Sequence, residues 1–245
     1  MKYRIEKDSL GEMKVPEDAY YGAQTQRAVE NFQISNLKFS EQFIKSLALI
    51  KKNAAIVNLD LGLINKEVSD MIVEVTNEIL DGKYIDEFVI DIFQTGSGTS
   101  TNMNMNEVIS NIAAEKSGSN RGDKSLIHPN DHVNLGQSSN DVIPSAIHLA
   151  LIQSIDTKLI PSLSNMSKEL KAKSEEFSSV IKTGRTHLQD ATPITLGQEF
   201  EGYCGQIDNA INKLLDSQKW LSEVALGGTA VGTGINTHED FSRLV

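Results

Sequence analysis

The sequence predicts a mainly α-helical protein, with an N-terminal helical domain leading into a bundle of unusually long helices. Three observations carry this expectation. Apolar residues recur at three-to-four spacing over most of the chain, strand-like alternation is scarce, and four of the five prolines (Pro16, Pro129, Pro144 and Pro193) stand near the ends of helical segments. Proline in such places punctuates helices rather than breaking them.

Taken in order, YRIEKD near the start reads as one short strand or hairpin. The first clear helix is expected from Ser40 to Asp60. Ser40 is a suitable N-cap, Phe43, Leu47, Ile50, Ala54 and Val57 form a stripe, and Gly62 ends it. A second is expected from Asn65 to Asp81, with Val68, Ile72, Val75 and Ile79 on one face and Gly82 behind; the two read as a helical pair. Residues 102–116 read as a third helix with an unusually polar first turn, closing at Gly118. Helical spacing then runs from Pro144 to Ser178, with Pro161 as an expected kink, and again from Pro193 to Ala225. At about 1.5 Å per residue, each of these long segments would extend on the order of 45 Å. Helices of that length find no cover in a small globule, so an extended bundle or pairing with other subunits is expected.

The bulk numbers narrow the classes. A chain of 245 residues with 39% hydrophobic and 23% charged residues is an ordinary globular composition with enough length for a sizeable core. A formal net charge of −10 argues against a nucleic-acid surface and against adhesion to anionic membranes. The single cysteine, Cys204, forms no internal disulfide and reads as a small residue packed within a helix. The N-terminus mixes both charge signs without an apolar run, and no segment approaches the roughly 18 uninterrupted apolar residues of a membrane span. A soluble cytoplasmic protein is expected.

Four stretches depart from the helical pattern. The first is Thr95-Gly96-Ser97-Gly98-Thr99-Ser100-Thr101-Asn102, leading into Asn104 and Asn106. Glycines let a backbone approach a ligand, and hydroxyls with free N–H groups at a helix start can receive an anion. Alone, such a stretch is more often only a loop; the Asn-x-Asn-x-Asn run favours a site, because clustered amides need partners. The second is His128-Pro129-Asn130-Asp131-His132-Val133-Asn134, continuing through Gly136, Gln137, Ser138, Ser139, Asn140 and Asp141. Its two histidines have no carboxylate or cysteine cluster at ligand spacing, so no metal is expected. Ser139, Asn140 and Asp141 read equally as helix caps and as ligand donors.

The third stretch, Lys182 to Ala191 with Gly184-Arg185-Thr186-His187-Leu188-Gln189-Asp190 at its centre, places a histidine beside a hydroxyl and an arginine on the connection between the two long helices. Such a histidine can serve as an acid, a base or an orienting group, although a lone loop histidine is commonly just a surface residue. The fourth, Gly227-Gly228-Thr229-Ala230-Val231-Gly232-Thr233-Gly234, sits directly behind a long helix rather than in a linker.

In order, spacing and wording these stretches together resemble the fumarase/aspartase superfamily throughout the chain. TGSGT at 95–99, HPNDHVN at 128–134, GRTHLQDA at 184–191 and GGTAVGTG at 227–234 are most similar to the class II fumarases. The resemblance implies the reversible hydration of fumarate to (S)-malate in the tricarboxylic acid cycle, with fumarate and malate as ligands, no cofactor, no metal and a homotetrameric assembly. It implies that Ser97, Gly98, Thr99, Ser138, Ser139, Asn140 and Thr186 bind the substrate, and that His187 positions or activates the water. It also implies a second dicarboxylate site at His128, Pro129, Asn130 and Asp131; the bland alternative is a turn ordering the approach to the next helix. The basic residue that the family often carries three positions before the His-Pro pair is Ser125 here.

The fold implied is of the fumarase/aspartase type, truncated. Residues 1–138 form an N-terminal lyase domain, and 139–245 the first part of a central helical bundle. Family members continue beyond the position of Val245, to complete the bundle and supply a loop of the type GSSxMPxKxNP that brings the serine base. No such segment occurs in this sequence, so the chain alone is expected to be inactive. Two other readings stand beside the fumarase one: an aspartate ammonia-lyase of the same superfamily, and a non-catalytic assembly module that keeps the scaffold.

Overall fold

The computed structural model describes residues 2–245. It forms two compact units. One runs to Ala150 and is rejoined by Val224–Val245, and the other is Leu151–Glu223.

The first unit opens with the expected hairpin, β1 (Tyr3–Asp8) against β2 (Gly11–Pro16), antiparallel with Tyr3 opposite Pro16 and Asp8 opposite Gly11. Helix α1 (Ala23–Asn31) follows, which the sequence pattern does not announce. Its N-cap, Gly22, has no side chain to offer. The cap is instead the Glu107 carboxylate, which accepts from the N–H groups of Gly22 at 2.9 Å, Gln24 at 2.9 Å and Thr25 at 3.0 Å. Burial raises the Glu107 carboxyl above its ordinary range, and the bonds from Thr25 and Gln24 oppose that rise.

Helices α2 (Glu41–Asp60) and α3 (Lys66–Leu80) form the expected pair. Ser40 Oγ accepts from Phe43 N–H at 3.3 Å, and Asn65 Oδ1 accepts from Val68 N–H at 2.9 Å. Both helices end on a left-handed glycine, Gly62 and Gly82, whose following residue returns a hydrogen bond to the last turn: Leu63 N–H to Asn58 O and Lys83 N–H to Glu78 O. Helix α4 (Thr99–Lys116) runs through the middle of the unit, and every residue from Thr101 to Ala114 is buried. Met105, Val108, Ile109 and Ile112 meet Leu47 and Ile50 of α2 and Ile72, Val75 and Ile79 of α3 in one core. Burial on this scale, at about 1.5–3 kcal/mol per large side chain, is the main force holding the unit together. The first half of α5 (Ser139–Ser154) completes it, with the short helix α8 (Phe241–Leu244), whose Phe241 packs on Ala54 and Val57.

The second unit is an antiparallel pair, α6 (Ile160–Glu176) and α7 (Leu196–Leu221), joined by a hairpin of β3 (Ile181–Thr186) and β4 (Gln189–Thr195). Thr195 and Gln198 form a reciprocal capping box at the start of α7. At Gly197 the two helices approach so closely that a Cβ would lie 2.4 Å from the Ser174 carbonyl oxygen. Cys204 is buried within α7, with its sulfur 3.4 Å from Ser167 Oγ.

Four expectations are corrected. The polar helix begins at Thr99, three residues before its expected start, because Gly98 turns the chain. The helix expected from Pro193 to Ala225 spans only Leu196–Leu221, because residues 189–195 pair with 181–186 as a strand that includes Pro193. Pro144 lies inside α5, which starts at Ser139. The helix expected from Pro144 to Ser178 is interrupted by a π-helical turn, Ile155–Leu159, directly before α6. Pro161 occupies the first turn of α6, and a proline lacking an N–H leaves an upstream carbonyl unbonded, which a wider turn accommodates.

Candidate active site

In the first unit, the turn closed by Gly98 N–H to Thr95 O at 2.9 Å brings the chain to α4. Gly98 is left-handed, with φ 67°, and a Cβ there would stand 2.9 Å from Ile143 Cγ1 of α5. Only glycine meets both conditions without displacement. This close approach sets the starts of α4 and α5 side by side. Ser97 Oγ lies 2.8 Å from Thr99 Oγ1, which lies 2.8 Å from Ser139 Oγ. Ser97 and Thr99 are exposed and Ser139 is half-buried, so a row of three hydroxyls opens to solvent across two helix N-termini.

Beside the row lies a polar network that runs from exposed Asn140 to buried Asp141. Ser138 caps α5 and its Oγ accepts from Asn140 N–H at 3.2 Å, while Asn140 Nδ2 donates to Ala230 O at 2.9 Å. The buried Asp141 carboxylate accepts three N–H groups, from Ser138 at 2.9 Å, Thr229 at 2.8 Å and Gly227 at 3.1 Å. The Gly-rich fourth stretch is thus tied to the start of α5.

Lys51 of α2 is 0% exposed. Its Nζ donates to Asn134 Oδ1 and Gln137 Oε1, each at 2.9 Å, and Asn102 Nδ2 of α4 donates to the same Asn134 oxygen at 3.1 Å. Desolvation brings the Lys51 amine down to about 7, opposed by the Asp141 charge. The sequence reading passed over Lys51. The available signal was a charged residue on the stripe that carries Leu47, Ala54, Ala55 and Asn58.

Pro129, Asn130 and Asp131 lie in a π-helical turn, Pro129–Val133, with His128 as its N-cap. His128 Nδ1 accepts from the N–H groups of Asn130 at 3.3 Å and Asp131 at 3.2 Å, and His132 Nδ1 accepts from His128 N–H at 2.9 Å. The Nδ1 atoms of both rings are therefore used inside the turn. Near Ser125, Arg121 is held by Glu115 and the Asp18 carbonyl, and Lys124 reaches the Lys7 carbonyl. Among the described residues, no group of three or more His, Cys, Asp or Glu side chains is placed to hold a metal ion.

Thr186 and His187 belong to the second unit, at the tip of the β3–β4 hairpin, where Thr186 pairs with Gln189. His187 and Leu188 are both left-handed, φ 49° and 58°, as a two-residue hairpin turn that follows strand twist requires. The tip is exposed, Leu188 at 94%. Arg185 pairs with Asp190 across it at 3.5 Å, and Lys182 binds Glu199 at the start of α7, which holds that carboxyl below its ordinary range.

Hydroxyl donors thus meet at two helix N-termini on this α-helical frame, and the chain belongs to the lyase family whose model matches residues 11–245. Among its similar proteins are class II fumarate hydratases. That of Halobacterium salinarum is 56% identical over 239 residues, which cover 98% of this chain and 51% of that protein. The Nitrosomonas europaea enzyme is 52% identical over 244 residues, 100% of this chain and 53% of that protein. The crystal structure of class II fumarase from Schistosoma mansoni superposes with a TM-score of 0.94 at 45% identity, covering 98% of this chain and 51% of that one. The chain spans about half the length of the curated relatives it matches. Among the described residues, no helix is long and apolar enough to cross a membrane.

Proposed function

We propose that this chain carries the dicarboxylate-binding part of a fumarate hydratase site, and that the whole protein interconverts fumarate and (S)-malate. The observation that carries the reading is the hydroxyl row of Ser97, Thr99 and Ser139 across the N-termini of α4 and α5. Fumarate is a dianion, and taking a proton from the malate carbon beside a carboxylate loads further charge onto that carboxylate. Neutral hydroxyls and N–H groups at positive helix ends can take up that charge without a cofactor. Ser97, Thr99, Ser139 and Asn140 supply donors, while Gly98 and Ser138 set their geometry. Thr186 and His187, on an exposed turn, supply the groups for the substrate hydroxyl and the water.

The serine base is assigned to a segment of the GSSxMPxKxNP type, which this sequence lacks. The 245 residues therefore bind but do not turn over. A homotetramer is supported by the exposed apolar side chains of the second unit, among them Met166, Tyr203, Leu215 and Trp220. Domains at 1–138 and 139–245 and a cytoplasmic setting belong to the same reading. The bonds within the His128 turn support its role as a fold element rather than a second anion site.

Incubating the purified chain with malate and following fumarate absorbance is expected to show no turnover, while calorimetry with fumarate shows binding. Turnover near that of ordinary enzymes would overturn the assignment of the base. Ammonia release from aspartate, by this chain or by its full-length protein, would move the reading to the ammonia-lyases.

A further inference from the structure

Lys51 joins three otherwise separate segments. Its acceptors, Asn134 and Gln137, lie between the His128 turn and Ser138, and Asn134 also takes the Asn102 donor from α4. Asn134 Nδ2 donates to Gln137 O at 3.2 Å, and Gln137 Nε2 donates to Val133 O at 3.1 Å and Leu135 O at 3.2 Å. The segment from 133 to 138 is thus held at Asn134 and Gln137 by one amine, and it ends at the cap of α5.

A buried amine with two neutral amide partners is an expensive way to hold a fold. Apolar residues of similar size in such places commonly leave stability unchanged or increase it. What the amine gives that a methyl group cannot is a pair of directed hydrogen bonds, to the side-chain oxygens of Asn134 and Gln137. We infer that Lys51 is a positioning residue, which holds Asn134 and Gln137 so that Ser138, Ser139 and Asn140 meet Thr99 in the hydroxyl row. This rests on the reading of that row as the dicarboxylate site.

Several other titratable groups on elements packed against α2 are engaged elsewhere, among them Lys66 with Asp70 and Glu115 with Arg121. Glu107 caps α1, Glu74 and Glu78 bind Lys116, Arg243 binds Asp240, and His128 is turned to Asp131 while His132 takes the His128 N–H. Asp141 of α5 is the charge that acts on Lys51.

The test is amide hydrogen exchange by NMR on the 245-residue chain and its K51M and K51Q variants. In K51M, the amides of Asn134, Gln137, Ser138, Asn140 and Val142 are expected to lose protection by about tenfold or more, the scale of hydrogen bonds from a charged donor. The amides of α3 stay unchanged, and K51Q, which keeps a donor, recovers much of the loss. Unchanged protection in K51M, or an even loss across α2–α4, overturns the assignment. If K51M does not fold, the wild-type chain decides. The amides of Ser138–Asn140 shift together with the Lys51 Nζ signal as pH is varied, and an amine that titrates while they stand still overturns it. Adding fumarate to the same sample separates the two readings: amides of Ser97, Thr99 and Ser139 that do not respond sink the dicarboxylate site, while the exchange result still judges Lys51.

Discussion

Replacing Asp141 with alanine tests how the fourth glycine-rich stretch is attached. The carboxylate accepts three N–H groups, those of Ser138, Gly227 and Thr229, and Asp141 itself is 1% exposed. Each buried donor left without a partner costs about 1–3 kcal/mol. Ser138 is half-buried and recovers its bond to water, so the two buried donors sum to roughly 2–6 kcal/mol, a large share of the ~5–15 kcal/mol typical of a domain. Asp141→Asn keeps one acceptor oxygen and is expected to lose about half as much. The assay is urea denaturation followed by circular dichroism. A second readout is specific to charge: because Asp141 raises the Lys51 amine from where desolvation alone would leave it, both variants drive that amine further below about 7. A D141A chain within about 1 kcal/mol of wild type, or one with the Lys51 amine unmoved, would refute the reasoning.

Three further outcomes are expected. The Lys51 amine falls from 10.5 unfolded to about 7 folded, so the unfolded chain binds more protons between those values. The penalty, on the order of 5 kcal/mol, is complete below about pH 7 and fades as pH rises toward 10.5. Wild type should therefore gain stability relative to K51M across that range in denaturation at stepped pH, and parallel curves would contradict it. Gly98→Ala combines a left-handed alanine with Ile143 contacts near 3 Å, and is expected to cost about 2–4 kcal/mol with loss of fumarate binding; a wild-type denaturation midpoint would contradict it. Thr99→Val removes the central hydroxyl of the row while keeping the shape. It should leave folding within about 1 kcal/mol and weaken fumarate binding at least tenfold by calorimetry.

Much of the frame was legible because its signals are local. Ser40 and Asn65 cap the helices they precede, and Gly62, Gly82 and Gly118 end them in left-handed turns. Helix α1 was not legible, since its cap is a carboxylate far along the chain at Glu107. The β3–β4 hairpin escaped because its turn is His187-Leu188 rather than an Asn-Gly type, and its strands are polar and exposed. The site shows the same division. Ser97, Thr99, Ser139 and Asn140 stand out as hydroxyls and amides in glycine-rich company. Lys51 reads as one more helical lysine until the fold buries it.

The dicarboxylate site itself is tested most directly by titrating fumarate into the isotopically labelled chain and mapping the amide shifts. Saturable shifts are expected at Ser97, Gly98, Thr99, Ser139 and Asn140, and they should vanish in Thr99→Val. Shifts absent from these residues, or centred on the His128 turn instead, would contradict the placement of the substrate at the N-termini of α4 and α5.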